Sequence, residues 1–381
     1  MSQLFQGIAE FHWQYLIMYA IGIALIYLAI KKDYEPMLLL PIGFGAILVN
    51  LPFSSIWEYE GTPGVLQIFY NSGILTEIFP VLIFVAVGAM IDFTPLLKQP
   101  RMLFFGAAAQ FGIFFTTLAA LYIGHLFPEL GFDLKTSSAI GIIGAADGPT
   151  SIFVASKFAK DWLGPISVAA YSYMALVPVI QPPVIRALTT KKERMIKMPY
   201  HDVKVSKTVL IAFPILITII SGIIAPISVP LVGLLMFGNL IRESGVLERL
   251  SKAAQNELAN LVTLLLGITI GATMYYDKFL DVKTLIIMVM GLVAFVFDTA
   301  GGVLFAKLMN LFTKDKVNPM VGAAGISAFP MSARIVQKMA KQEDPHNFIL
   351  MQAVSANVAG QLGSIVAGGM VLALVPWLLM K

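Results

Sequence analysis

No cysteine occurs among the 381 residues. Disulfides, thiol catalysis and Cys-ligated zinc or iron–sulfur centres are therefore excluded, and any chemistry must come from oxygen and nitrogen groups. Histidine is scarce too: His12, His125, His201 and His346 lie far apart and form no HExxH-like pair, so a transition-metal site has no basis. Charge is thin, at 13% of residues against 58% hydrophobic, which excludes a soluble globular enzyme or a nucleic-acid binder. Period-two alternation, the mark of a membrane barrel, is missing; runs such as "YLIMYAIGIALIYLAI" (15–30) are apolar on every face and read as helices in lipid. The amino terminus has no basic region followed by a cleavage site, so the first apolar run is expected to be a retained span.

What the chain does have is one apolar run after another, each near the roughly 20 residues that cross a bilayer core about 30 Å thick. The expected fold is all-α and polytopic. Its orientation follows from the loops. "RALTTKKERMIKMPYHDVKVSK" (186–207) is the densest basic stretch and is assigned to the cytoplasmic side, with Lys31/Lys32, Lys98/Arg101, "RESGVLERLSK" (242–252) and Lys307/Lys314/Lys316. "WEYEG" (57–61) and "FPELGFD" (127–133) lack basic residues and are assigned outside. About ten spans thread between them, near 14–31, 37–53, 72–92, 102–127, 164–186, 208–225, 227–241, 258–276, 284–310 and 348–376. Residues 138–157 and 318–337 break the alternation. Each must enter the membrane and turn back as a hairpin or broken helix if the flanking loops keep their faces.

The halves then align as two inverted repeats, 1–190 and 208–381, joined by a cytoplasmic basic loop, 191–207. "PIGFGAILVNL" (41–51) matches "PLVGLLMFGNL" (230–240) with Asn50 and Asn239 in register; "VGAMIDF" (87–93) matches "IGATMYYDKF" (270–279); "GAADGPT" (144–150) matches "GAAGISAFP" (322–330). Generic small-residue helix packing is the plainer account of any single match.

"GIIGAADGPTSIF" (141–153) places Asp147, Gly148, Pro149 and Thr150 in the middle of such a segment. Non-helical backbone at membrane depth must be buried in protein or line a wet cavity, and inverted-repeat transporters bind ions at such breaks. A carboxylate there supplies the negative charge that a sodium ion or a proton neutralises; alternatively Asp147 merely caps the following half-helix. Asp298, in "FVFDTAGG", is a second intramembrane carboxylate that could simply cap a kink at Gly301 and Gly302. The second break brings Asn318, Ser327, Ser332 and Arg334, whose guanidinium cannot discharge and must meet oxygens or water near the cytoplasmic face, or snorkel to the interface. Tyr171 and Tyr173, bracketed by Pro165 and Pro178, are expected at mid-span with phenols needing partners. "MIKMP" (195–199) looks like a biotin-attachment hairpin, but it lacks the surrounding strands, so Lys197 reads as topology-setting charge.

"IGIIGAADGPTSIFVASK", "VAAYSYMALVPVIQPPVIRALTTKKER" and "NPMVGAAGISAFPMSARIVQK" resemble the beta subunit of the sodium-pumping biotin-dependent decarboxylases, which act on oxaloacetate, methylmalonyl-CoA or glutaconyl-CoA. The resemblance covers nearly the whole chain. It implies a multi-pass subunit of the cell inner membrane that takes carboxybiotin from a separate biotin carrier, decarboxylates it and exports sodium. Its implied partners are that carrier, a carboxyltransferase, a small membrane-anchored accessory subunit and further copies of itself, with no nucleic acid. Transferred by position, Asp147 would exchange sodium and a proton with Tyr173 beside it, Asn318, Gly322 and Ser327 would form a second ion-binding group, and Arg334 would serve as the cation near the carboxybiotin approach. The rival reading is a secondary sodium/proton antiporter or sodium-coupled carboxylate carrier.

Overall fold

The computed structural model describes residue 7 and residues 11–32, 35–52, 54–199 and 204–380; His201 and Asp202 of the basic loop lie outside the described residues. Apart from a small hairpin pairing Glu58–Tyr59 with Thr62–Pro63, the described architecture is helical. Helix is what lipid demands of a chain with apolar runs, because only there does each segment satisfy its own backbone. Among the described residues seven helices are long and apolar enough to cross a membrane, or nine if each of two bent pairs counts as one span.

In chain order the described helices include α1 (Trp13–Lys32), α2 (Pro36–Val49), α3 (Ile78–Met90), α4 (Pro100–Leu126), α5 (Leu134–Gly141), α6 (Gly148–Phe158), α7 (Leu163–Leu188), α8 (Lys207–Ile224), α9 (Val229–Ser244), α10 (Glu248–Gly271), α11 (Val282–Phe312), α12 (Pro319–Ala323), α13 (Met331–Glu343) and α14 (Leu350–Leu379). Side-chain caps start several of them: Asp133 accepts from Thr136 N at 2.7 Å and Asp281 from Lys283 N at 2.8 Å. The expected spans 37–53 and 72–92 are modified. α2 has 14 residues, about 21 Å at 1.5 Å per residue, and α3 is preceded by a helix, Val65–Ile74, bent from it by 62°.

Four of these helices form a crossed set in which α2 packs on α10 and α3 packs on α9. Small residues allow the close approach: a Cβ at Gly45 would strike the Ile268 carbonyl, and one at Gly88 the Leu235 carbonyl. Asparagine amides lock the same crossings. Asn50 Nδ2 donates to Met274 O at 2.8 Å, and Asn239 Nδ2 to Ile91 O at 2.9 Å. In the alignment of the halves, Met274 and Ile91 are matched positions, as are Asn50 and Asn239. Asn239→Ala should therefore lower stability by about 1–3 kcal/mol, by stranding buried carbonyls; thermal unfolding in detergent reads this, and an unchanged midpoint would mean the amide is dispensable.

The basic loop, Lys307 and the end of α13 meet. Arg194 pairs with Glu343 at 2.7 Å, Lys307 with Glu193 at 3.2 Å and Lys197 with Asp344 at 2.9 Å. The Lys197 hydrogen bond holds the Asp344 carboxyl below its ordinary range. The stretch 194–199 is also strapped down by amides from the second half: Asn318 Nδ2 reaches Arg194 O and Ile196 O at 2.8 and 2.9 Å, and Gln352 Nε2 reaches Met198 O at 2.8 Å.

Candidate ion site where two broken helices meet

Both segments expected to be interrupted are interrupted. α5 tightens into a 3-10 turn over Ile142–Ala145, Ala146 takes a left-handed conformation with φ of 51°, and the helix restarts as α6 with Asp147 as its cap. α12 ends at Ala323, and α13 begins at Met331. Asn347, beyond α13, shares the carbonyls of Arg194 and Ile196 with Asn318, ahead of α12, so the second broken segment starts and ends on one face. The first does likewise. α4 and α11 run antiparallel, and Phe132, before α5, packs on Gly124 near the end of α4; Trp162, after α6, lies under Lys283 at the start of α11.

The tips of the two segments touch. Ser327 N donates to Ala145 O at 3.1 Å, joining the breaks backbone to backbone. Asp147 sits at this junction, buried, with both oxygens engaged. Oδ1 accepts from Thr150 N at 3.3 Å, which is the cap. Oδ2 faces four donors: Thr150 Oγ1 at 2.7 Å, Ser364 Oγ at 2.8 Å, Gln361 Nε2 at 3.2 Å and Ser327 Oγ at 3.3 Å. The capping reading thus accounts for one oxygen only. The Ser327 hydroxyl is also 2.8 Å from Gln361 Oε1 and can donate to only one acceptor at a time.

This donor set suits a hard monovalent cation. A carboxylate oxygen has two lone pairs and cannot saturate four donors, so hydroxyls can turn their protons away and present oxygen instead. Thr150, Ser327, Ser364, the Gln361 carbonyl and Asp147 then offer oxygens of the kind such ions take. Among the described residues no group of three or more His, Cys, Asp or Glu could hold a metal.

The other residues named from sequence are distributed differently. Gly322 is where α12 crosses α11: a Cβ there would strike the Gly302 carbonyl. Asn318 caps α12 through Met320 N at 3.1 Å and spends its amide on the strap. Tyr173 donates to the Met288 carbonyl on α11, whereas Tyr171 packs its ring against Gly148, beside Asp147, with its buried hydroxyl unpartnered. Arg334 is exposed on α13, and nothing among the described residues pairs with it. Ser332 bonds Gln181 at 2.8 Å. Gln361 and Ser364 were not foreseen. The available signal was the spacing of Asn357, Gln361 and Ser364, which puts three polar residues on one face of an otherwise apolar helix; Asn357 donates to Ile326 O at 2.7 Å, holding the second break to α14.

An all-α membrane protein with a buried acid among hydroxyls, at the contact of two broken helices, belongs to the class of ion-translocating membrane subunits. Comparison with known proteins narrows this. The family described as Na+-transporting oxaloacetate decarboxylase beta subunit matches residues 14–375. The chain is 50% identical over 369 residues to glutaconyl-CoA decarboxylase subunit beta of Acidaminococcus fermentans, covering 97% of this chain and 95% of that one. It is 47% identical over 379 residues to methylmalonyl-CoA decarboxylase subunit beta of Propionigenium modestum (94% of each), and 44% identical over 426 aligned residues to the oxaloacetate decarboxylase beta chain of Klebsiella pneumoniae (98% of each). The chain belongs to the beta-subunit family of the sodium-transporting decarboxylases, and the secondary-transporter reading is not favoured.

Proposed function

We propose that this chain is the membrane subunit at which carboxybiotin, delivered by a separate carrier that a carboxyltransferase loads, is decarboxylated on the cytoplasmic face while sodium leaves the cell. The single observation that supports it most is Asp147, buried at the contact of two broken helices and ringed by Thr150, Ser327, Gln361 and Ser364. Release of carbon dioxide leaves a ureido nitrogen that must gain a proton. The chain's part is to supply that proton: sodium entering the Asp147 cluster displaces one from the carboxyl, and the four neighbouring donors rotate to keep the oxygens satisfied. Moving one charge against 100 mV costs about 2.3 kcal/mol. Coupling therefore requires the proton-loaded and sodium-loaded forms to favour access to opposite faces.

Arg334 is proposed to meet the carboxylate of the incoming group. Its guanidinium is exposed, unpaired among the described residues and on the segment that returns to the basic face. The inner membrane as location, assembly with an accessory subunit and self-association belong to the same reading, as does an origin in two inverted repeats. The repeat is supported by the exchange of packing partners between the halves: α2 lies on α10 as α9 lies on α3, α4 on α5 as α11 on α12, and α7 on α11 as α14 on α4.

The test is reconstitution with carrier and carboxyltransferase in proteoliposomes. Sodium uptake that depends on carboxybiotin supports the reading, and uptake driven by a pH gradient without it refutes it. Arg334→Ala is expected to lower carboxybiotin turnover by about 100-fold, the scale of a lost charge-assisted contact, while equilibrium sodium binding stays near wild type. Unchanged turnover would remove Arg334 from the reaction.

A further inference from the structure

Asp298 is a second buried carboxyl among the described residues and lies outside the Asp147 cluster. It sits in the middle of α11, fully buried, and α11 continues as helix through Gly301 and Gly302, so no helix end there needs a cap. Its Oδ1 accepts from Ile113 N at 3.1 Å, just past the point where α4 is interrupted at Gln110. Its Oδ2 has no hydrogen-bond partner among the described residues. That free oxygen faces the first broken helix, because a Cβ at Gly144, three residues before Asp147, would lie 2.8 Å from it. Two more buried hydroxyls have no hydrogen-bond partner among the described residues: Thr299, the next residue, and Thr116, one helical turn beyond Gly112 on the face of α4 that meets Asp298.

A bare carboxylate in such a place costs several kcal/mol, and no Lys, Arg or His pairs with Asp298 among the described residues. We propose that Asp298 is a second monovalent-cation site, in which Oδ2, with the Thr116 and Thr299 hydroxyls, takes a proton or a sodium ion beside the first break. Gly112, Gly144 and Ala294, all small and uncharged, lie beside the carboxyl. The inference deepens the ion-path reading and rests on it for the direction of transport.

The experiment compares wild type, Asp298→Asn and Asp147→Asn as purified complexes, by equilibrium binding of radioactive sodium and by infrared difference spectra on adding sodium. Asparagine keeps the Oδ1 cap on Ile113. In Asp298→Asn, sodium bound per chain falling by one establishes a sodium site. An unchanged sodium count with loss of a protonated-carboxyl band establishes a proton site. Neither change means a cap only, and overturns the proposal. Should Asp298→Asn not fold, carbodiimide labelling of the wild-type complex with peptide mapping decides: label at Asp298 supports the site, and no label there at any sodium concentration or pH overturns it. Loss of sodium in Asp147→Asn without any change in Asp298→Asn refutes this site alone. No loss in either variant refutes the ion path itself.

Discussion

Asp147→Asn is expected to abolish sodium transport while leaving the fold intact. The amide is the size of the carboxyl and can still accept from Thr150 N, so the start of α6 keeps its cap. What it loses is the charge that balances a cation and the capacity to give up a proton. The amide also puts one donor among Thr150, Ser327, Gln361 and Ser364 where an acceptor is needed. Losing a charge-assisted set of this kind is worth about 3 kcal/mol or more, roughly 100-fold or greater in sodium affinity and coupled turnover. Sodium-dependent decarboxylation by the complex, with thermal unfolding as the control, measures it. A variant that transports at the wild-type rate would place the ion elsewhere.

Gly322→Ala should act through packing. The added Cβ would meet the Gly302 carbonyl on α11, a backbone atom that cannot swing aside as a side chain would. α12 must then move off α11, at a cost of about 3 kcal/mol by the usual scale of overpacking. The expected result is a marked fall in the unfolding temperature in detergent, together with weaker sodium binding. The discriminating outcome is the reverse: full stability with sodium affinity alone reduced would make Gly322 a carbonyl ligand and not a crossing point.

Much of this site could be read along the chain because its signals are local. Asp147 next to Gly148 and Pro149, and Ser327 in a run of small residues before Pro330, each mark a helix that cannot continue through lipid. The breaks at 146–147 and 324–330 follow from that chemistry. What could not be read is which distant helix supplies the remaining ligands. Gln361 and Ser364 lie 214 and 217 residues from Asp147, and only their one-face spacing on α14 hinted at a partner. Tyr171 and Tyr173 show the same limit at closer range: two residues apart on a helix, they point about 200° apart, so sequence leaves open which of them lies beside the first break. Asn318 carries a polar side chain in the expected segment, yet its hydrogen-bonding groups are spent on the strap and on its own helix.

The contact between the two tips rests on one main-chain hydrogen bond, from Ser327 N to Ala145 O. Both residues are buried, so neither tip can withdraw without stripping the other of its partner inside the protein core. An unmet amide and an unmet carbonyl there would each be penalised by several kcal/mol. The two tips are thus yoked, and any movement that parts them must first supply both groups with new partners.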